Sequence, residues 1–164
     1  HTVCSGYRLW PTVFALRKNV SIPRYYQSTA MTHPESTVKM ADFLAENLDF
    51  CADWDRERLL DWVQWFVNND RYYAVKAKGR LVGLTLLRMV DTEKQCHEHY
   101  KDTEGGICYV EACVSRFPRC INRMYEMVWN RWSQTAHSMA WMRHKYNNRA
   151  TVVDMGRIKR RFLG

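Results

Sequence analysis

One carboxylate lies inside an otherwise apolar run in the stretch GGICYVEACVSRFPRCINRM, residues 105–124. Glu111 stands between Val110 and Ala112, in a segment whose length and β-branched content predict a buried strand. Burial among apolar neighbours raises the pKa of a carboxyl group, which suits a general base working near neutral pH. In an alternative interpretation, Glu111 faces out of the sheet or pairs with an arginine such as Arg88.

Positive charge is concentrated toward the C-terminal end of the 164-residue chain, whose formal net charge is +8. Residues 1–34 hold four basic and no acidic residues, residues 35–115 ten basic and fifteen acidic, and residues 116–164 eleven basic and two acidic. Such a field attracts phosphates, and aromatic residues such as Tyr146 and Phe162 could stack on bases. The residues expected to contact a nucleic acid are Arg143, Lys145, Arg149, Arg157, Lys159, Arg160 and Arg161. The alternatives are a solvated surface, or contact with an acidic segment of this chain or with an acidic partner protein.

Other residue types that could do chemistry have unsuitable spacing. Cys96, His97 and His99 include adjacent residues that point to different sides, and no second ligand pair has zinc spacing. Cys108, Cys113 and Cys120 could in principle join them, but a solvated polar loop is the default and no metal site is predicted. The six cysteines contain no C-x-x-C pair, and several lie in apolar runs, which indicates free thiols in a reducing compartment. The sequence has no P-loop and no H-E-x-x-H pattern.

Hydrophobic periodicity predicts the elements that would position these residues. We expect helices over residues 36–48 and 53–70, a hairpin over 71–90 with its turn at Lys78-Gly79, a polar loop to Gly106, a strand over 107–114, a helix from Pro118, a strand pair over 137–146 and 150–155, and a short helix in the basic tail. This order predicts an α/β (α+β) fold with a mixed central β-sheet flanked by helices.

The first thirty residues differ from the rest in composition. They lack acidic residues and show neither helical nor strand periodicity. They could be a transit peptide, a leader that precedes a natural start at Met31, or an arm packed on the domain. Residues 31–164 are predicted to form a single domain. No apolar run approaches the roughly 18 residues of a membrane span, so we expect no membrane association and a cytoplasmic location.

The hairpin YYAVKAKGRLVGLTLL, followed by YVEACVS and a helix, resembles the GCN5-related N-acetyltransferases over roughly residues 36–145. In that family, with its acyl-CoA N-acyltransferase-like fold, a hairpin of pattern x-V-x-x-x-G-x-x-V-G precedes a central strand. That strand splays from its neighbour to admit the pantetheine arm of acetyl-CoA. The resemblance implies acetyl transfer from acetyl-CoA to an unidentified amine, with Glu111 as general base and Tyr146 as general acid.

The resemblance also implies where acetyl-CoA would bind. Strand residues Val110, Ala112, Cys113, Val114 and Ser115 would lie along the pantetheine, and Arg116, Arg119 and Arg123 would contact the phosphates. The family's Q/R-x-x-G-x-G/A loop binds the pyrophosphate through backbone N–H groups at a helix N-terminus. Here that loop is replaced by SRFPRCINRM, which has no glycine, and Pro118 has no N–H to donate. A second departure is that WMRHKYNNRATVVDM returns as a hairpin where the family has a helix.

The missing glycine loop also fits acetyltransferase-like proteins that some bacteriophages carry as virion components or accessory proteins. Two functions from different classes therefore stay open. One is an N-acetyltransferase. The other is a catalytically silent virion or nucleic-acid-binding protein that keeps the fold and uses its basic C-terminal third, in which case the virion replaces the cytoplasm as its location. Either protein could form a homo-oligomer.

Overall fold

The computed structural model describes residues 37–143, 149–162 and 164. The helices are α1 (Thr37–Asn47), α2 (Asp49–Ala52), α3 (Arg56–Asn68), α4 (Pro118–Trp132) and α5 (Met155–Phe162), with a 3-10 helix at Glu93–His97. The strands are β1 (Tyr72–Ala77), β2 (Arg80–Val90), β3 (Ile107–Ser115), β4 (Ser138–Arg143) and β5 (Arg149–Asp154). The interpretations of residues 1–30 and of Tyr146 fall outside the described residues.

The five strands form one mixed sheet in the order β1-β2-β3-β4-β5. Neighbouring strands are antiparallel except β3 and β4, which pair in parallel across the connection through α4. This confirms the predicted α+β fold with a mixed central sheet flanked by helices. It is compatible with an acetyltransferase-like architecture.

Local sequence signals explain where several elements begin and turn. Asp55 caps α3 by accepting a hydrogen bond from the backbone N–H of Arg58 at 3.3 Å. Pro118 occupies the first turn of α4, where a missing N–H costs nothing. Lys78 and Gly79 both have positive φ, 50° and 73°, which is the conformation of a two-residue hairpin turn that favours glycine.

Both faces of the sheet are covered. Helices α4 and α5 pack on one face, where the core includes Val110, Cys113, Met124, Tyr125, Val128, Met139 and Ile158. Helices α1 to α3 cover β1 to β3 on the other face, with a core that includes Met40, Leu44, Trp62, Phe66, Leu86 and Ala112. Strands buried on both faces explain why β2 and β3 read as nearly continuous apolar runs.

The segment between β2 and β3, predicted as a polar loop, instead covers the rest of that second face. Its 3-10 helix buries Cys96 against Val90, Ile107, Tyr109 and Ala140. The side chain of Gln95 accepts the backbone N–H of Thr92, which closes a capping box at the start of this helix. Part of its polar composition faces solvent, but the Asp102 carboxylate is half-buried, where it pairs with Arg71 at 3.0 Å and accepts the backbone N–H of Met89 at 2.7 Å.

The described cysteines are all free and buried: Cys51, Cys96, Cys108, Cys113 and Cys120. Within the same part of the chain, no group of three or more His, Cys, Asp or Glu residues could hold a metal ion. No helix in residues 37–143 and 149–162 has the length and apolar content that a membrane crossing needs.

Candidate active site at a bulge in the central strand

Glu111 is the extra residue of a β-bulge in β3. Leu86 of β2 is opposite Ala112 and Leu87 is opposite Val110, so Glu111 has no counterpart in β2. The bulge puts Glu111 and Ala112 on the same face of the sheet, whereas alternation would have turned one of them away. Counted back from Ala112, regular alternation would pair Glu111 with Leu87 in the core under α4. The bulge instead leaves the carboxylate on the face that carries Arg88.

The Glu111 carboxylate is held by Arg88, the pairing that the sequence offered as the alternative. Arg88 Nε donates to Glu111 Oε2 at 2.8 Å, and the two side chains are 2% and 16% exposed. Burial raises the pKa of the Glu111 carboxyl, and the Arg88 guanidinium opposes that rise. The carboxylate is therefore buried, paired and still reachable from solvent at one side.

Arg88 also donates hydrogen bonds to four backbone carbonyl groups, all in the segment that follows β2. Its Nη1 donates to the carbonyl oxygens of Glu98 at 2.7 Å, Lys101 at 2.8 Å and Gln95 at 3.3 Å, and its Nη2 donates to that of Cys96 at 3.1 Å. The guanidinium also lies 4.9 Å from the centre of the Tyr109 ring. One side chain thus links the bulge to residues 95–101, the middle of the segment that covers this face of the sheet.

The parallel pairing between β3 and β4 is short. Four residue pairs are registered, from Ile107 opposite Ser138 to Val110 opposite Trp141. β3 continues for five more residues, Glu111–Ser115, beyond the last of these pairs. We call the place where pairing stops, at Val110 and Trp141, the vertex. It lies one residue before Glu111.

A small apolar cavity of about 10 Å³, room for roughly one water molecule, lies at the vertex on the α4 side of the sheet. Its walls come from three strands and from α4: Thr85, Val110, Cys113, Met124, Tyr125, Val128 and Met139. Burial raises the pKa of the Cys113 thiol to about 12 and holds the pKa of Tyr125 well above its ordinary value, so both stay neutral. The cavity suits a methyl-sized apolar group.

The connection from β3 to α4 uses its backbone donors within the chain. The N–H of Arg116 donates to the Val82 carbonyl at 2.9 Å, that of Phe117 to Ser115 Oγ at 3.3 Å, and that of Cys120 to the Phe117 carbonyl at 3.0 Å. Ser115 Oγ in turn donates to the Phe117 carbonyl. This connection has no cradle of free N–H groups of the kind that binds a pyrophosphate.

The structure places the predicted phosphate-contacting arginines in different settings. Arg116 turns toward α1, where it pairs with Glu46 at 3.0 Å and lies over the Phe43 ring. Arg119 is exposed on the first turn of α4, and Arg123 pairs with Glu126 one turn further along. Arg119 and Arg123 are four residues apart on α4 and so lie on one face of that helix, whereas the Arg116 side chain is held against α1.

The other residues predicted to bind acetyl-CoA or nucleic acid do not form one group in the structure. Val110 and Cys113 point to the core under α4, and Ala112 and Val114 point to the core under α1–α3. In the C-terminal set, Arg149 is exposed on β5 and the side chains of Arg157, Lys159, Arg160 and Arg161 are exposed on α5. The Arg143 side chain and Lys145 lie outside the described residues. The predicted nucleic-acid set therefore does not gather around Glu111.

The sequence indicated Arg88 only as a partner for Glu111, and its hydrogen bonds to the backbone of the segment after β2 were not predicted. A signal was present, since TLLRMV has one charge in an apolar run as YVEACV does. Two opposite charges in two adjacent buried strands predict an ion pair. The four carbonyl partners had no sequence signal, because any residue type supplies a carbonyl oxygen.

No protein-family model matches the chain, and no curated protein matches it.

Proposed function

We propose that the protein transfers an acyl group from a pantetheine thioester, such as acetyl-CoA, to an amine. The observation that carries this proposal is the extension of β3 past the vertex, with Glu111 at the first position beyond it. A strand edge that continues beyond its neighbour offers N–H and C=O groups to an extended ligand. The two amides of a pantetheine arm are such a ligand.

The thioester would supply the acyl group and a thiolate leaving group. The arm would lie along β3 between Ser115 and the vertex, with its thioester end at the vertex. Residues 112–115 are at most 3% exposed, so binding requires the contacts that cover this edge to open. There the apolar cavity by Val110 and Met139 would receive the methyl group of an acetyl donor. Glu111, on the opposite face of the sheet, would receive the incoming amine.

Glu111 would act as general base. It accepts the proton that the amine nitrogen loses as the new C–N bond forms, and its raised pKa suits this exchange. Arg88 holds Oε2 and so fixes the direction of the carboxylate. Tyr146, the expected general acid, lies outside the described residues, so its role stays a prediction.

The residues present fit the pantetheine part of acetyl-CoA better than its nucleotide part. The part of β3 past the vertex, with which no described strand pairs on the β4 side, suits the arm, and the cavity suits the acyl group. At the start of α4, the N–H groups of Arg116, Phe117 and Cys120 are engaged and Pro118 has none. Phosphate contacts would fall to the side chains of Arg119 and Arg123.

The test is acetyl transfer from acetyl-CoA and from acetyl-pantetheine to a panel of primary amines, measured as release of free thiol. Glu111→Gln should lower kcat/KM by about 100-fold or more, because Gln keeps a hydrogen bond to Arg88 but cannot accept a proton. Glu57→Gln, at an exposed site in the first turn of α3, is the matched control and should leave the rate unchanged. Full activity of Glu111→Gln would remove Glu111 from the mechanism, and absence of transfer from every thioester would reject the proposal.

A second candidate is a catalytically silent protein of the same fold, as a virion or nucleic-acid-binding component. Two observations favour it: the Glu111–Arg88 pair has a structural use in anchoring residues 91–104, and the cavity holds only about one water. The nucleic-acid-binding role is tested by measuring the affinity for a single-stranded oligonucleotide over a range of salt concentrations. If basic residues contact the phosphates, the affinity should fall steeply as the salt concentration rises.

A further inference from the structure

We propose that the acyl donor is the phosphopantetheine arm of an acidic carrier protein, docked on a basic surface beside the opening between β3 and β4. We define the α4–α5 basic surface by Arg119, Arg123, Lys159, Arg160 and Arg161. This inference rests on the proposed acyl transfer and specifies its donor. The amine acceptor is not part of it.

The α4–α5 basic surface lies next to the vertex because α5 packs back along α4. The Phe162 ring stacks on the Tyr125 ring, with centroids 4.1 Å apart and planes 10° from parallel. Tyr125 also lines the cavity at the vertex. Lys159 lies by Trp129 and Phe162 by Tyr125, so α5 runs back toward the start of α4. Its last turn, which carries three basic residues in a row, therefore lies toward the end of the arm that bears the phosphate.

Few acidic residues offset this charge. Residues 116–164 contain two, Glu126 and Asp154. Asp154 accepts the backbone N–H of Arg157 at the start of α5, and Glu126 pairs with Arg123. Lys159, Arg160 and Arg161 are exposed, so the surface presents a local excess of positive charge that complements an acidic partner.

The backbone at the start of α4 argues for a carrier protein over free coenzyme A. A diphosphate is normally bound by several N–H groups that point to one place. Here the N–H groups of Arg116, Phe117 and Cys120 donate within the chain, and Pro118 lacks one. A carrier-linked arm has a single phosphodiester, and the remaining affinity comes from the carrier's own acidic side chains.

The aromatic rings of this surface argue against a single-stranded nucleic acid, which binds by stacking bases on ring faces. The ammonium group of Lys159 lies 5.3 Å from the Trp129 ring centre, and Tyr125 covers one face of Phe162. Trp129 and Phe162 thus each have one ring face already occupied, which leaves less ring surface for stacking bases and favours an acidic protein surface as the partner.

The experiment compares three donors with the full chain and one amine: acetyl-CoA, acetyl-pantetheine, and a purified acidic acyl carrier protein that bears an acetylated phosphopantetheine arm. We expect kcat/KM to be highest for the carrier by about tenfold or more, and to fall with added salt, because exposed charges guide its docking. Equal or better transfer from acetyl-CoA would overturn the inference and leave the proposed acyl transfer standing. Failure with all three donors would reject the acyl transfer itself.

Charge reversal then locates the docking surface. Arg160→Glu/Arg161→Glu should lower kcat/KM for the carrier by about tenfold, and much more than it lowers the value for acetyl-pantetheine. Arg56→Glu/Arg58→Glu, on α3 at the other face of the sheet, is the matched control. It removes the exposed Arg56–Asp42 ion pair and the Arg58–Trp54 contact, which lie away from the α4–α5 basic surface, and should leave both kcat/KM values unchanged. Equal losses for carrier and acetyl-pantetheine, or tight oligonucleotide binding that Arg160→Glu/Arg161→Glu abolishes, would assign the surface to another role.

Discussion

At the scale of single residues, Arg88 and Glu111 have two interpretations that differ in what depends on them. If Glu111 is only the counter-ion of Arg88, its negative charge contributes to the stability of the fold and its ability to accept a proton has no use. If it is a base, its proton affinity decides the rate. The bulge that brings it to the face of Arg88 is compatible with both, so measurements have to separate stability from turnover.

The first prediction concerns the stability that Arg88 provides. Arg88→Met should lower the free energy of unfolding by about 3–5 kcal/mol, because it leaves the Glu111 carboxylate buried without a partner. Urea denaturation measures this loss. Arg88→Met/Glu111→Leu removes both charges and should recover only part of it, because the carbonyl groups of Gln95, Cys96, Glu98 and Lys101 still lack a donor. Complete recovery in the double variant would show that Arg88 does not anchor residues 91–104.

The second prediction concerns pH. A general base works only when deprotonated, so kcat/KM should rise with pH through an apparent pKa above the ordinary glutamate value of 4.5, because burial raises the pKa of Glu111. An acceptor amine of low basicity keeps its own protonation out of the same range. The residual activity of Glu111→Gln should lack this acid limb. A limb that persists in that variant belongs to another group.

At the scale of elements, the close approach of α4 to β2 depends on Gly83. A Cβ at this position would lie 3.3 Å from the Cβ of Cys120 and 3.4 Å from the sulfur of Met124. Gly83 also belongs to the GRLVG stretch by which the hairpin resembles acetyltransferases. The glycine therefore sets how near α4 lies to the sheet, and with it the width of the cavity.

The third prediction follows from that distance. Gly83→Val should lower the free energy of unfolding by about 1–3 kcal/mol, because the larger side chain forces α4 away from the sheet. Thermal denaturation measures this effect. Gly79→Asn is the control, since the turn is exposed and asparagine tolerates positive φ. If Gly83→Val were as stable as the unchanged protein, then α4 would not be held at the distance described.

Element order and type could be predicted from the sequence, because periodicity and capping are local. The Lys78-Gly79 turn, the start of α4 at Pro118 and the helix in the basic tail were all predicted and are confirmed. The bulge at Glu111 was not, since it is a register shift between two strands that are both apolar throughout. The 3-10 helix was missed although its capping pair, Thr92 and Gln95, is a local signal, because the segment is polar without helical periodicity and is held by Arg88 of β2.

The candidate site was predictable to a smaller extent. Glu111 and Arg88 were identified because a charge within an apolar strand needs a partner. The cavity, the vertex and the direction of Arg116 depend on how distant elements meet, and one sequence contains no signal for that. Arg116 shows the limit: its position next to α4 predicted a phosphate contact, but Glu46 and Phe43 of α1 hold its side chain.

At the scale of the whole molecule, the buried thiols can be used to measure how often the core becomes accessible to solvent. Cys51, Cys96, Cys108, Cys113 and Cys120 come from both sides of the sheet and are each at most 3% exposed. Burial raises the pKa of Cys51 and Cys108 to about 12 and that of Cys96 to about 11, so the reactive thiolate is scarce at neutral pH.

The fourth prediction is that these five thiols react with a thiol-specific reagent only when the protein opens. Under native conditions Ellman's reagent should detect no more than the one cysteine outside the described residues, Cys4, and in denaturant all six. Urea below the unfolding transition should accelerate labelling of Cys113 in step with global opening. Rapid native labelling of Cys113 would instead reveal an open route into the cavity that it lines.

The guanidinium of Arg88 recognises residues 91–104 through main-chain oxygens alone, apart from its bond to Glu111. Carbonyl groups are common to all residue types, so this recognition places almost no demand on which side chains the segment carries. Over generations the segment could exchange most of its exposed residues while its path stayed the same, provided that the arginine beneath it did not change and that Asp102 kept its bonds to Arg71 and to the Met89 N–H. Relatives of this protein should therefore be easier to recognise by one retained basic residue in the second strand than by any similarity in the segment that it holds.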